Sequence, residues 1–149
     1  NDINPKYKKF KLFIFGINNF YLGKYNLQKL TNFNIYYKGR VKKSTLVNFY
    51  KKSMGMICLG YDETFCLNAL EANSCGLPVI TFGKTALNEM IIDKKNGFII
   101  NDFDDLEKKI NFIINLKEKQ RISLIRNSIQ NTKKYHIKNI IYLWLKLLK

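Results

Sequence analysis

Short apolar runs alternate with helix-forming segments along most of this chain, and that alternation constrains the fold more than any other feature. β-rich runs predict strands at residues 11–16, 34–39, 55–60, 78–82 and 97–100. Helical patterns follow near residues 26–32, after Ser44 or Thr45, after Thr64, and from Asp104 onward. This order predicts a Rossmann-like α/β fold: a parallel sheet flanked by helices, with a helical C-terminal tail.

Composition favours one folded domain over residues 1–149. Hydrophobic residues make up 46% of the chain, which excludes a disordered protein. The longest apolar runs are far shorter than the roughly 20 residues that cross a bilayer, so we expect a cytoplasmic protein.

The three cysteines, Cys58, Cys66 and Cys75, lack the spacing of metal ligands and are predicted to be free, mostly buried thiols. The net charge of +15 either favours anionic partners or reflects compositional bias, since the lysines are scattered through a sequence rich in Asn, Ile and Tyr.

The loop after the third predicted strand is the first candidate site. Ligands of open α/β sheets bind beyond the carboxyl ends of the strands, and this strand ends at Gly60. A helix is predicted to begin near Phe65 or Cys66, and its unpaired N–H groups would suit a diphosphate. Two acids, Glu63 and Glu71, flank that position. Each acid could accept hydrogen bonds from hydroxyl groups, and a nucleoside diphosphate sugar carries hydroxyls at both ends.

The end of the same helix is also predicted from two residues. Gly76 is suited to a left-handed C-terminal cap, because glycine adopts positive φ without steric cost. Pro78 prevents the helix from continuing.

Residues 63–80, "ETFCLNALEANSCGLPVI", resemble the motif of two glutamates separated by seven residues in retaining GT-B glycosyltransferases of glycosyltransferase group 1. The flanks agree with that motif. Residues 33–59, "FNIYYKGRVKKSTLVNFYKKSMGMICL", and residues 88–100, "NEMIIDKKNGFII", are similar to the family's neighbouring patterns. The resemblance runs over roughly residues 10–116 and implies the donor-binding C-terminal half of a GT-B fold.

The resemblance also implies roles for individual residues. Glu71 corresponds to the glutamate that accepts hydrogen bonds from the donor's ribose, and Glu63 to the one that contacts the donor sugar near the reacting centre. The backbone N–H groups that would hold the diphosphate and sugar are those of Phe65, Cys66 and Leu67. The remaining candidates are Glu89, which matches a recurring glutamate, and two basic residues near strand ends, Lys84 and Arg40.

Several departures from the family pattern stand out. Cys66 replaces the second glycine of the motif, and the loop around Lys84 lacks the usual glycine pair. The strand and loop that supply an Arg and a Lys to the diphosphate would lie upstream of Asn1, as would the acceptor-binding domain. We therefore expect residues 1–149 to lack their first strand, and the chain alone to be inactive.

The function implied by the resemblance is hexosyl transfer from a nucleotide-diphosphate sugar to an acceptor hydroxyl, with retention of configuration. The acceptor would be a glycan, a lipid-linked or a small molecule. No essential metal or other cofactor is expected. Asp104 and Asp105 are predicted to start a helix.

The C-terminal tail contains further residues whose side chains could bind a ligand or pack against the rest of the chain. His136, the sole histidine, is predicted to lie on the surface at the start of the last helix. Tyr135, Tyr142 and Trp144 follow helical spacing and are predicted to pack the tail against the sheet. The segment "LKLLK" raises a second interpretation, peripheral contact with the inner face of a membrane in the full-length protein.

Two alternative functions remain open. A basic nucleic-acid-binding module would use the positive charge and the interspersed tyrosines, although we find no recognised RNA or DNA motif and expect no nucleic-acid partner. A nucleotide-sugar epimerase with a GT-B fold would share the donor site. Steep salt dependence and indifference to Glu71 would favour the nucleic-acid module.

Overall fold

A computed structural model describes residues 10–16, 34–60, 64–84 and 86–148 of the chain. The chain divides into two compact units, residues 1–46 and residues 47–149. The helix predicted near residues 26–32 and the candidate Glu63 lie outside the described residues.

The first unit contains two parallel strands, β1 (Leu12–Phe15) and β2 (Ile35–Gly39). Leu12 pairs with Ile35 and the register shifts near the end of β1. The rings of Phe13 and Tyr36 stack with their centroids 5.3 Å apart, so an aromatic pair supports this ladder.

The second unit contains a three-stranded parallel sheet in the order β3 (Met56–Ile57), β4 (Val79–Thr81), β5 (Gly97–Ile99). All five predicted strands are therefore present, each shorter than its apolar run. Parallel strands that are joined through helices confirm the predicted Rossmann-like α/β class.

The helices match the sequence pattern with one addition. They are α1 (Lys43–Lys52), α2 (Leu67–Ser74), α3 (Leu87–Met90), α4 (Phe103–Ile114), α5 (Glu118–Thr132) and α6 (Ile137–Leu147), with a 3₁₀ turn at Lys133–Tyr135. The four-residue α3 was not predicted, because so short a segment carries no helical period. Within the described residues, no helix has both the length and the apolar content to cross a bilayer.

The core of the second unit lies between its sheet and the helices α4 and α5. Its buried side chains are Ile80, Phe82, Phe98, Ile100, Ile113 and Leu124. On α2 the buried positions include the small residues Ala69 and Ala72, which let this helix pack closely. The core therefore fixes α2, the helix that carries the candidate site.

Gly76 ends α2 as predicted. Its φ is +81°, its N–H donates to Asn73 O at 2.9 Å, and the N–H of Leu77 donates to Ala72 O at 2.9 Å. These two bonds form a Schellman motif. A side chain at this position would meet Ile125 of α5 at 2.8 Å, so both φ and packing require glycine.

The C-terminal helix α6 differs from the prediction. Tyr142 is 68% exposed and Trp144 is 63% exposed, so the expectation that they pack the tail against the sheet is wrong for the described residues. The helix has no buried residue. Apolar periodicity identified the helix but not what covers it. The surface position of His136 is confirmed: it caps α6 and its Nδ1 accepts from the Lys138 N–H at 3.4 Å.

Candidate functional site

The candidate site lies at the start of α2, where the chain returns from the carboxyl end of β3. Cys58 extends the pairing of β3, because its N–H donates to Ile80 O at 2.9 Å. Cys66 is the N-cap of α2, so the predicted helix start was correct within two residues. The N-terminus of α2 thus stands at the edge of a parallel sheet where ligands bind in this class of fold.

Backbone N–H groups at this helix start differ in their hydrogen bonding. The Leu67 N–H donates to Phe65 O at 3.1 Å, so it must release this carbonyl before it can bind an anion. The N–H of Phe65 has no acceptor among the described residues. Cys66 is buried, whereas Phe65 is 45% and Leu67 is 60% exposed. The two residues that flank Cys66 are therefore exposed at the helix start.

Glu71 lies on α2, half-buried, about 8 Å along the helix axis from the N-cap at 1.5 Å per residue. Its charge acts on Tyr50, a buried residue of α1. Burial, followed by the Glu71 carboxylate and then the nearby cysteines, raises the pKa of Tyr50 to about 12. The charges that act on this phenol therefore include the candidate acid Glu71. The helical spacing of Leu46, Phe49 and Tyr50 predicts a side that faces a core, and Tyr50 is buried, but that spacing did not indicate the influence of Glu71.

The three cysteines are free thiols, as predicted, but only Cys66 is buried, whereas Cys58 and Cys75 are half-buried. Cys66 is buried, and its Sγ lies 3.4 Å from Sγ of Cys58, although eight positions separate the two residues. Local sequence patterns did not indicate this contact between the N-cap residue of α2 and the residue that follows β3. Within the described part of the chain, no group of three or more His, Cys, Asp or Glu residues could hold a metal ion.

The remaining candidates occupy different places. Glu89 lies on the short helix α3 with an exposed side chain, and its carbonyl O accepts hydrogen bonds from Lys134 and Tyr135. Lys84 is exposed just beyond β4. Arg40 is exposed after β2, in the first unit, whereas the other described candidates belong to the second unit.

Tyr135 connects two of these segments. Its ring meets the Phe65 ring edge-on with centroids 5.9 Å apart, and its hydroxyl donates to Glu89 O at 3.2 Å. The prediction that Tyr135 packs inward from the tail missed this pair of contacts. In sequence, Tyr135 is 46 positions from Glu89 and 70 positions from Phe65, and no local pattern can reveal contacts over such separations.

A buried polar network holds α2 in place. Asn73 donates to Leu77 O at 2.9 Å and to Asn96 O at 3.2 Å, and Asn96 Nδ2 donates back to Asn73 Oδ1. Ser128 of α5 also donates to Asn96 O, at 3.3 Å. All three polar residues are at most 2% exposed. The network links α2, the turn before β5 and α5, and it was not predicted.

Curated relatives match much of this chain. An uncharacterised glycosyltransferase of Methanocaldococcus jannaschii is 31% identical over 99 residues, which cover 65% of this chain and 28% of that protein. A D-inositol 3-phosphate glycosyltransferase of Acidothermus cellulolyticus is 26% identical over 96 residues, covering 64% and 21% respectively. The chain therefore spans between 21% and 28% of the length of these two relatives.

Solved structures show the same fold. Staphylococcus aureus TarM, in a complex that contains UDP, superposes with a TM-score of 0.76 at 23% identity, over 92% of this chain and 28% of that one. The C-terminal domain of a glycosyl transferase group 1 family protein from Francisella tularensis gives a TM-score of 0.65 at 25% identity, over 78% and 63%. The neighbours are GT-B glycosyltransferases, which confirms the predicted fold.

The family assignment rests on a match to most of the sequence. The model of the family described as glycosyl transferases group 1 matches residues 2–131, well over half of the chain. The strand–helix order, the site at the start of α2 and the solved neighbours agree with that match. This chain belongs to the glycosyl transferases group 1 family.

Proposed function

We propose that this chain is the donor-binding part of a retaining hexosyltransferase that takes its sugar from a nucleoside diphosphate sugar. The observation that carries the proposal is the start of α2: a helix N-terminus at the sheet edge, with Glu71 on the same helix. A helix N-terminus favours a diphosphate, because its N–H groups and dipole both attract negative charge. Relatives solved with UDP or UDP-glucose support this donor class.

Each residue of the proposed site has a separate task. The N–H groups of Phe65 and Cys66 hold the diphosphate, and that of Leu67 joins them once it releases Phe65 O. Glu71 accepts hydrogen bonds from the ribose hydroxyls, since its side chain leans toward the helix N-terminus. Glu63, outside the described residues, contacts the sugar near the reacting carbon.

In the proposed reaction, the bond between the anomeric carbon and the diphosphate oxygen breaks and a bond to the acceptor oxygen forms. The nucleoside diphosphate leaves with the electron pair of the broken bond, and its departing oxygen takes the proton of the acceptor hydroxyl. Positioning of the two substrates and stabilisation of the departing charge supply the rate. The acceptor is a glycan, a lipid-linked or a small molecule bound outside this chain. The proposal requires no metal or other cofactor.

The test of this function separates turnover from binding. Glu63→Gln in the full-length protein should lower turnover of UDP-glucose or UDP-GlcNAc roughly tenfold or more, because a lost charged hydrogen bond costs about 1.5–3 kcal/mol in the transition state. UDP affinity, measured by calorimetry, should stay unchanged. The chain of residues 1–149 alone should show no transfer. Transfer by this chain alone, or wild-type turnover in Glu63→Gln, would contradict the proposal.

A membrane contact is a separate part of the proposal, and the charge and exposure of the tail favour it. No Asp or Glu follows Glu118 in this sequence, whereas residues 119–149 hold eight Lys and Arg residues. On α6, Ile137, Ile141 and Trp144 share an apolar side and are all at least 50% exposed. A basic amphipathic helix of this kind binds anionic lipid surfaces, and the cytoplasmic leaflet carries such lipids.

Vesicle flotation tests this contact in the full-length protein. Wild-type protein should float with vesicles that contain phosphatidylserine and stay behind with neutral ones, and Trp144→Ser should reduce binding more than Tyr142→Ser on the polar side. Absence of binding to either vesicle would contradict the proposed membrane contact.

A further inference from the structure

The turn between α5 and α6 contacts the candidate donor site at two separate points. Tyr135 closes this 3₁₀ turn. Its ring packs edge-on against Phe65, which immediately precedes the N-cap of α2, and its hydroxyl donates to the carbonyl of Glu89 on α3. One side chain therefore touches both the helix start proposed to hold the diphosphate and the short helix that carries a further candidate.

The short helix α3 depends on this region for its hydrogen bonds. A helix leaves its last four carbonyls without partners inside the helix, and α3 has only four residues. Lys134 Nζ donates to Glu89 O at 2.9 Å, beside the Tyr135 hydroxyl, and Asn131 Nδ2 donates to Met90 O at 2.7 Å. Three side chains from the end of α5 and the following turn thus satisfy carbonyls of α3.

The same side chains also support one another. Lys134 Nζ lies 4.9 Å from the centroid of the Tyr135 ring, within the range of a cation–π contact. The ring thereby contacts both Lys134 and Phe65, while its hydroxyl donates to Glu89 O. A helix of four residues does not keep its conformation without tertiary contacts, so these bonds set the position of α3.

We propose that Tyr135 is a positioning residue of the donor site, which keeps Phe65 and the helix α3 in a fixed relation. That this site binds the donor rests on the proposed function. The contacts by which Tyr135 links Phe65 to α3 do not depend on any ligand. Tyr135 acts through Phe65 and Glu89, without contact with the reacting atoms.

Hydrogen exchange in the full-length protein tests the link without a ligand. Tyr135→Phe keeps the ring and removes the hydroxyl, so it should speed exchange of the amides that close α3, those of Met90 and Ile91, by roughly twofold to tenfold. Tyr135→Leu should in addition speed exchange at Ala69, in the first turn of α2. Tyr142→Phe and Tyr142→Leu, at an exposed tyrosine of α6, are the matched controls and should change neither segment. Unchanged exchange in both Tyr135 variants would overturn the proposal.

Nucleotide binding then tests whether the link serves the donor site. UDP and GDP are titrated into the same variants, and affinity for whichever nucleotide binds the wild type should fall roughly threefold to tenfold in Tyr135→Leu, with no change in Tyr142→Leu. A lower melting temperature with wild-type affinity would reduce Tyr135 to a structural residue and overturn its positioning role. If neither nucleotide binds the wild type, the donor-site function fails, while the exchange experiment still decides whether the link exists.

Discussion

Replacement of Asn73 should destabilise the fold far more than replacement of its exposed neighbour. Asn73 is 2% exposed on α2 and takes part in three hydrogen bonds, two as donor and one as acceptor. Asn73→Ala removes all three and leaves Leu77 O without this buried donor. At about 1 kcal/mol for each bond, and about 1–3 kcal/mol for a buried polar group left unsatisfied, the expected loss is roughly 3–5 kcal/mol.

Urea unfolding followed by circular dichroism measures that loss, with Ser74→Ala as the control. Ser74 is exposed, and its hydroxyl donates to Glu71 O within the same helix at 2.7 Å, so its removal should cost about 0.5 kcal/mol or less. Equal slopes of the unfolding curves are needed for the comparison. If Asn73→Ala and Ser74→Ala unfold at the same urea concentration, the network does not hold α2 in the way described.

Two further predictions concern residues beside the site. Burial and the Glu71 carboxylate raise the pKa of Tyr50 to about 12, so its neutral form stabilises the folded state below pH 10 and this contribution is lost as the pH rises through 12. Between pH 10 and pH 12 the free energy of unfolding of the wild type should therefore fall by roughly 2–3 kcal/mol more than that of Tyr50→Phe. Parallel plots of unfolding free energy against pH for the two proteins would contradict this prediction. Mild oxidation with diamide should reduce the titratable thiols from three to one by joining Cys58 and Cys66, leaving Cys75 free; a different pairing would contradict the 3.4 Å sulfur contact.

Local features of the sequence were sufficient to predict the strands of the second unit and its helices other than α3. The apolar run at residues 78–82 contains the buried strand β4, and Gly76 ends α2 through its positive φ. Both depend on neighbours within a few positions, where hydrophobic period and glycine conformation act directly. The start of α2 was located in the same way, whereas the diphosphate site there stays a prediction.

Contacts between distant residues could not be predicted from those patterns. The side chains of Asn73 and Asn96 meet across 23 positions, and nothing in a polar residue's immediate neighbours indicates a buried partner. Trp144 shows the opposite failure. Its apolar period predicted burial, yet the side chain is 63% exposed, because amphipathicity marks a face without identifying its partner.

The central claim, that Glu71 holds the ribose of a nucleoside diphosphate donor, is tested most directly by calorimetry on the full-length protein. UDP and GDP are titrated into wild type, Glu71→Ala and Glu107→Ala, the last changing an exposed acid on α4. A lost charged hydrogen bond of about 1.5–3 kcal/mol predicts a roughly tenfold to hundredfold weaker affinity in Glu71→Ala for the nucleotide that binds, with Glu107→Ala unchanged. Equal affinities in all three proteins would contradict the account and leave Glu71 as a solvated acid on a covering helix.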